Sequence, residues 1–286
     1  AVESVLGQSF ADFLFLVVDD GSTDATPEVL AAIADPRIEV VRQANAGLAA
    51  ALNRGLAILA ERGVDYVARQ DGDDVSCRER LARQVGFLDA HPEAAACGAN
   101  AHYIDLDDRV IGTSVVPASA RLIRWELRRN LRGMIHAATT FRLDALVAVG
   151  GYRESFRHGE DFDLFVRLAE RFPLANLPDF LYRIRLDPGS LSVAAQERNT
   201  LYCRWALDCA ARRRRGLAER DFAAYAGAMT AWERIGLARE RVVLAWWRRS
   251  MGRGRAWALA AALLDPKRAL ARLLRAGERR LHGGPA

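Results

Sequence analysis

The apolar positions at the start of the chain switch repeatedly between a strand pattern and a helix pattern. Residues 13–18 form a continuous apolar run of strand length, and the turn Asp19-Asp20-Gly21-Ser22 follows it. Thr23 or Asp24 can cap the helix that Pro27 opens near its first turn. Residues 38–41 read as a second short strand. Residues 46–60 carry apolar positions at helical spacing, and Gly63 ends that helix. Residues 66–68 are strand-like and run straight into Asp71-Gly72-Asp73-Asp74. A helix over 78–90 comes next, stopped by His91-Pro92. This alternation predicts an α/β fold with a mostly parallel sheet flanked by helices.

From 94 to 185 the pattern is mixed, with strands predicted at 94–104, 110–116, 137–142 and 179–185. A helix fits 160–171, and Glu160, Asp161 and Asp163 in its first turn suit the helix dipole. Beyond Ser192 the chain reads as almost entirely helical, with breaks near Gly216, at 252–254 and at Asp265-Pro266. No internal repeat stands out.

Composition changes this picture in two places. Of 286 residues, 51% are hydrophobic and 27% charged, which excludes a disordered or collagen-like chain. The longest apolar run, residues 256–264, is nine residues, well short of the ~20 that span a bilayer. Short apolar pieces broken by Glu3 and Asp12 do not read as a signal peptide. The four cysteines form no CxxC pair, so zinc and thioredoxin chemistry find no support, and free thiols in a reducing cytosol are expected. Charge is divided unevenly. Residues 1–197 hold 21 Lys+Arg against 29 Asp+Glu, a balance of −8, whereas residues 198–286 hold 20 against 7, a balance of +13. Only the tail is suited to a polyanion or an anionic membrane surface.

The candidate chemistry lies just after the strands, where open α/β sheets bind their ligands. Asp71-Gly72-Asp73-Asp74 puts three carboxylates in four residues, and such a cluster needs a cation or donors to offset its repulsion. Hard divalent ions commonly take one or two carboxylates plus substrate phosphates. Acidic turns are also ordinary surface features. Asp19-Asp20-Gly21-Ser22-Thr23-Asp24 has two readings, a capped strand-to-helix turn or a carboxylate that accepts a hydrogen bond from a base or ribose. Asn45-Ala46-Gly47 and Asn53-Arg54-Gly55 bracket a helix, with glycines that allow close backbone approach. Glu160 and Asp161 suit either helix capping or general-base work, and His136 before an apolar strand reads by default as a structural histidine.

Taken together and in order, these segments resemble the family 2 glycosyltransferases with the GT-A fold. Ser4-Val5-Leu6-Gly7-Gln8-Ser9-Phe10 looks like the end of that family's first helix, and residues 17–24 are similar to its VVDDGSTD signature. Asn45, Gly47, Ala51, Asn53 and Gly55 resemble its NxG…AxNxG segment, and Asp71-Gly72-Asp73-Asp74 its DxDD. Thr140-Phe141-Arg142 through Gly150-Gly151-Tyr152 and then Gly159-Glu160-Asp161 resemble its acceptor-side block and ED motif. The resemblance covers residues 1–192, a glycosyltransferase domain, and leaves 193–286 as a basic helical region. It implies an inverting transfer of a single sugar from a nucleoside-diphosphate sugar to a glycan or lipid-linked acceptor, in cell-surface polysaccharide synthesis, with Mn²⁺ or Mg²⁺ as cofactor. Asp20 would hold the nucleotide base, Asp71 its sugar, and Asp73 the metal; Asp161 would be the catalytic base. Glu160, His136 and Arg183 remain candidates for the acceptor or diphosphate side, and Tyr182, Ser190 and Ser192 resemble a loop near the diphosphate. Arg185 stands where relatives often carry a histidine. Gln196-Glu197-Arg198-Asn199 does not reproduce the QxxRW motif of processive members. The family's first strand has no counterpart ahead of residue 1, which predicts unpaired backbone edges in the sheet or another element in its place.

The tail matches no motif. Arg212–215, Trp246-Trp247-Arg248-Arg249, Arg253, Arg255 and Trp257 mix indoles with guanidinium groups, as membrane-surface helices do; a solvated helical subdomain fits equally. The expected location is cytoplasmic, with peripheral attachment to the inner face of the cell membrane. No nucleic-acid fold signature accompanies the charge, so nucleic acid is not an expected partner. The alternative to an enzyme is a non-catalytic GT-A relative that serves as a binding module.

Overall fold

The computed structural model describes residues 1–186, 196–231, 233–235, 237 and 266–281. Expectations for Ser190, Ser192, Trp246, Trp247, Trp257 and the stretch 256–264 fall outside the described residues. Among the described residues, eight strands form two sheets. The smaller holds β1 (Phe15–Asp19) and β2 (Ile38–Arg42), paired in parallel. The larger runs β3 (Tyr66–Ala68), β7 (Thr140–Arg142), β5 (Ala96–Ile104), β8 (Leu174–Arg185), β4 (Val75–Ser76), with β6 (Val110–Ser114) also on β5. The two longest ladders, β5–β8 and β1–β2, are parallel and the four shorter ones antiparallel, so the sheet is mixed.

The strand predicted from 179 in fact starts at Leu174 and passes through Pro178. A proline interrupts a ladder, and the β5–β8 register slips at this point, between Ala99 and Asn100. Asn100 Nδ2 donates to the Pro178 carbonyl at 2.7 Å, so the bulge keeps its backbone satisfied. The strand predicted at 137–142 is a short 3₁₀ turn, His136–Ala138, followed by the three residues of β7.

Helix α1 (Val2–Leu6) is tied to the rest by Gln8, whose amide donates to the Ser4 and Cys77 carbonyls and accepts from Leu81 N at the start of α4 (Arg80–Ala90). Helix α2 (Thr26–Ala31) has Ala25 at its N-cap, so neither Thr23 nor Asp24 caps it; Asp24, one residue earlier, accepts from Thr26 N at 3.0 Å. Helix α3 (Leu48–Glu61) covers both sheets: Gly55 lies against Leu16 and Val18 of β1, while Leu52 and Leu56 pack with Val67 of β3 against the main core. Among the described residues β1 is paired along one edge only, and so is β3.

The main core lies between the larger sheet and α5 (Ala120–Leu127), α6 (Leu143–Ala148) and α7 (Glu160–Arg171), with Ile123, Phe141, Leu146, Leu164, Leu168 and Leu174 buried. The residues that follow extend it. Helix α8 (Gln196–Arg214) contributes Ala210 to that core and stacks Trp205 on Phe156 at 4.0 Å between ring centroids. Fully buried Asp163 holds α7 down, accepting from Arg153 and Arg167. Arg153 and Arg213 both pair with Glu219, beyond the end of α8 at Gly216, whose positive φ stops the helix. A short helix α9 (Phe222–Gly227) then packs on α8, and α10 (Pro266–Leu281) docks on α5. No described helix is long and apolar enough to cross a membrane.

Candidate active site

The strand ends deliver the carboxylates, and each is held differently. Asp19 closes β1 buried, accepting from Ser22 N at 2.8 Å, with Arg42 at 3.4 Å. The hydrogen bond from Ser22 is the main reason its carboxyl stays below the usual range. Asp20 is half-buried and reaches across to the Asn45-Ala46-Gly47 loop. It accepts from Gln43 Nε2 at 2.7 Å, Ala46 N at 2.9 Å and Gly47 N at 2.9 Å. Burial alone would raise its pKa, but these donors outweigh it and hold the carboxylate ionised. Three of its roughly four acceptor sites are occupied. Gly21, at φ +79°, lets this clasp close: a side chain there would meet Asn45 N at 2.8 Å.

The Asp71–Asp74 turn is supported from beneath. Asp71 N donates to the Tyr182 hydroxyl at 3.1 Å, and its carboxylate pairs with Arg69 at 2.5 Å. Asp74 is buried and accepts from Arg185 N at 2.8 Å. Arg185 donates onward to the Asp73 and Asp105 carbonyls and the Asp108 carboxylate, stitching the turn to the β5–β6 hairpin. Below them sits Arg80, 1% exposed, bonded to Gln70, Ser76, Gln84 and the Arg69 carbonyl, with its guanidinium 4.8 Å from the Tyr182 ring. Its hydrogen-bond acceptors are all neutral. A buried cation without a bonded carboxylate is costly, and the charges of Asp71 and Asp74 partly offset that cost, so Arg80 gives the turn a fixed positive floor. Asp73 differs from its neighbours: it is exposed, and its carboxylate has no partner among the described residues.

The third group comes from the N-terminus of α7. Gly159 sits in the left-handed region at φ +66°, where a side chain would meet Asn199 Oδ1 at 2.9 Å and Cys203 Sγ at 3.2 Å. Helix α8 thus presses on the Glu160-Asp161 turn. Burial, together with mutual repulsion and the charge of Asp71, raises both carboxyls above their ordinary range. Asp161 Oδ1 accepts from Phe162 N at 2.7 Å. Arg69 acts on Glu160 and Arg132 on Asp161. His136 shares a 2.7 Å hydrogen bond with the Tyr152 hydroxyl, and burial plus Arg69 keeps its imidazole neutral. Asn53 fixes Tyr152, donating to its carbonyl and accepting from its N–H, both at 2.8 Å.

Asp71, Glu160, Asp161, His136 and Tyr152 therefore lie within electrostatic reach of one another, with Arg69 paired to Asp71 and acting on Glu160, His136 and Tyr152. Asp20 stands apart, on the β1 side. Arg183 is not brought to this group: it follows inward-facing Tyr182 along β8, turns the other way and lies by Cys77 and His102. Tyr182 is itself fully buried, so it supports the turn from inside rather than lining a surface loop. The sequence reading passed over Arg69, Arg80 and Arg132. Arg80 left a signal, since Arg80 and Gln84 stand four apart on the same face of α4 as Leu81 and Leu88.

The match of residues 1–150 to the model of "Glycosyl transferase family 2" decides the relationship. The chain belongs to glycosyltransferase family 2. It is 33% identical to "Putative glycosyltransferase EpsE" of Bacillus subtilis, over 65% of this chain and 67% of EpsE. It is 30% identical to "Amylovoran biosynthesis glycosyltransferase AmsE" of Erwinia amylovora, over 61% of this chain and 65% of AmsE. The mannosyltransferase PcManGT of Pyrobaculum calidifontis, solved in complex with GDP-Man and Mn²⁺, shares the fold with a TM-score of 0.54 at 19% identity, covering 96% of this chain and 79% of that one.

For a family 2 member, the donor set of the Asp71 turn fits a hard divalent ion. It offers carboxylate oxygen only, and exposed Asp73 has its full acceptor capacity free. Among the described residues no three His, Cys, Asp or Glu side chains converge on one point. Mg²⁺-type sites, which take one or two carboxylates and complete their shell with water and phosphate, match that arrangement.

Proposed function

We propose that this chain moves a single sugar from a nucleoside-diphosphate sugar to a hydroxyl of a glycan or lipid-linked acceptor, inverting the anomeric carbon, in the assembly of a cell-surface polysaccharide. The observation that carries the reading is the meeting of two turns far apart in sequence: the charge of Asp71 acts directly on Glu160 and Asp161. Exopolysaccharide synthesis is supported by the kinship with AmsE, whose name assigns it to amylovoran biosynthesis.

In this reading Asp20 and the 43–47 loop face the base, and Asp71 the nucleotide's sugar side. Asp73 would hold Mn²⁺ or Mg²⁺. When bound, that ion supplies Lewis-acid neutralisation of the leaving diphosphate. Asp161 accepts the proton of the acceptor hydroxyl as its oxygen bonds to the anomeric carbon. The bond from that carbon to the phosphate oxygen breaks on the opposite face, and the nucleoside diphosphate leaves with the electron pair. One base opposite one leaving group gives inversion. Glu160, His136 and Tyr152 border the base and orient the acceptor. A carboxyl raised toward neutrality is a stronger base than an ordinary aspartate, as proton abstraction from a hydroxyl requires.

Donor turnover by the purified chain with Mn²⁺, measured across a panel of nucleoside-diphosphate sugars, tests the reading. Asp73→Asn should weaken metal-dependent donor binding about tenfold or more while the protein still melts cooperatively. Equal Mn²⁺ and donor affinities in both proteins would remove Asp73 from the site. A folded protein that binds donor but turns none over would favour the binding-module alternative.

A further inference from the structure

Tyr152 follows α6 at a point where no strand or helix holds the backbone. Gly150 and Gly151, at φ +79° and +61°, turn the chain through two successive left-handed residues, a conformation open to glycine. The bonds that a ladder would supply come from Asn53, in the middle of α3. Its side-chain amide donates to the Tyr152 carbonyl and accepts from the Tyr152 N–H, both at 2.8 Å. The approach is close, since a side chain on Gly151 would stand 2.8 Å from Asn53 Oδ1. One amide thus pairs with Tyr152 as the backbone of a neighbouring strand would.

The tyrosine ring carries this position to His136. Tyr152 is 5% exposed, and its hydroxyl meets His136 Nε2 at 2.7 Å. The imidazole lies edge-on to Phe141 and Phe165, with ring centroids 6.3 and 6.1 Å away. Among the described residues the Tyr152 hydroxyl is its only hydrogen-bond partner, and Nδ1 has none. His136 is half-buried, and the tyrosine fixes one edge of its ring while the other is left for a ligand. Burial and the charge of Arg69 keep the imidazole neutral, and a neutral ring nitrogen suits a hydroxyl. The donor side is bonded to the same helix at the next residue. Arg54 Nη1 donates to Gln43 Oε1 at 3.2 Å, and Gln43 Nε2 donates to Asp20 at 2.7 Å.

On the reading of Asp161 as the base, we propose that Asn53 and Tyr152 are positioning residues for the acceptor: Asn53 holds Tyr152, the Tyr152 hydroxyl sets the imidazole of His136, and His136 Nδ1 shares a hydrogen bond with an acceptor hydroxyl next to the one that attacks. Two adjacent hydroxyls, one for His136 and one for Asp161, make the acceptor terminus a sugar ring rather than a phosphate or a simple alcohol. Asn53 and Arg54 are consecutive on α3, so the supports of the acceptor side and the donor side move as one body. That keeps the attacking hydroxyl in line with the donor.

Magnetic resonance of the full chain with isotope-labelled histidine reports this relay without any ligand: the His136 ring signals should move alike in Asn53→Ala and Tyr152→Phe. Kinetics with Mn²⁺, the nucleoside-diphosphate sugar turned over fastest and p-nitrophenyl glycosides as acceptors then test its use. Each variant should raise the glycoside KM about tenfold, with donor hydrolysis in the absence of glycoside changed by less than about twofold. The double variant Asn53→Ala, Tyr152→Phe should be no worse than the more affected single variant, because both losses act through one imidazole. Asn53→Asp still accepts from the Tyr152 N–H but cannot donate to its carbonyl, so it should fall between Asn53→Ala and the unaltered chain; it carries the same comparison should Asn53→Ala fail to fold. Additive losses, or a His136 signal that the Asn53 variants leave unmoved, overturn the proposal and make Asn53 a structural residue only. Donor hydrolysis without transfer to any glycoside also overturns it, while Asp161 keeps its role. Absence of donor turnover in the unaltered chain removes both.

Discussion

The two sheets make an instructive pair because their strands differ less in composition than in company. β1, Phe-Leu-Val-Val-Asp, is the more apolar, yet Phe15 to Val18 are only half-buried. β5 contains Gly, Asn and His, yet is buried from Ala96 through Ala101. β5 has neighbours on both edges, β7 and β6 on one and β8 on the other, while β1 has β2 alone. Burial is thus conferred by adjoining strands more than by the side chains of the strand itself. The difference extends to the site. Asp20 stands on the two-stranded sheet and depends on a loop clasp, whereas the Asp71 turn and the Glu160-Asp161 turn are braced by the larger sheet and its core. In the proposed reading, chemistry falls on the larger sheet and nucleotide recognition on the smaller one.

That division predicts separable defects. Asp161→Asn should lower turnover by about 10²–10⁴-fold, the usual worth of a general base, with donor affinity little changed. Asp20→Ala should do the reverse, weakening donor binding before it affects turnover of bound donor. In the unaltered chain the raised carboxyls of Asp161 and Glu160 should place the acidic limb of the pH–rate profile above the range of an ordinary aspartate. Activity should rise with pH through that limb as the base loses its proton. Near-normal turnover in Asp161→Asn would move the base to Glu160, and a defect in both parameters for both variants would dissolve the division.

A second test acts on the sheet itself. Among the described residues β1 and β3 are each paired along one edge only, and unpaired edge groups accept an added strand. Extending the chain ahead of Ala1 by about 5–6 apolar residues of strand propensity should raise the melting temperature by about 4 °C or more. Donor affinity should rise with it, because Asp20 would then stand on a sheet closed on both sides. Hydrogen exchange at β1 should slow toward that of β5. Unchanged melting and exchange would mean that the two edges do not face a common slot.

How much of this was legible follows from where each element finds its partners. β1, α3 and α7 depend on local pattern and were readable to within a few residues. The clustering of Asp71 with Asp161 was legible only through the family resemblance, since nothing in the spacing brings the two turns together. Helix α5 was missed because its inward face carries Glu126, whose charge is offset by Arg275, far along the chain. Pro178 hid the first half of β8, and only the register slip in β5 shows how a proline fits there. Where Arg183 would lie was not legible for a simpler reason: one residue along a strand reverses the face. The +13 balance of the tail was visible from composition, but the docking of α10 on α5 was not.

The smallest predicted effect concerns the support beneath the Asp71 turn. In Tyr182→Phe the ring keeps its place among Ala101, Val116, Ile135 and Ala138, and Arg80 can still lie over it. Only the hydroxyl is lost, and with it the acceptor for Asp71 N and a hydrogen bond to the Asp74 carboxyl. Each such bond is worth about 1 kcal/mol net, and Asp71 is exposed enough for water to take over part of its own. The expected cost is therefore a fall of about 2–4 °C in melting temperature. Donor affinity should drop by a few-fold only, because Arg69 and Arg80 continue to hold the turn. A loss of metal-dependent donor binding as severe as that of Asp73→Asn would show that the hydroxyl, rather than the two guanidinium groups, sets the conformation of the turn. An unchanged protein would show that the larger sheet holds the turn without it, which would widen the contrast with the clasp that Asp20 needs on the smaller one.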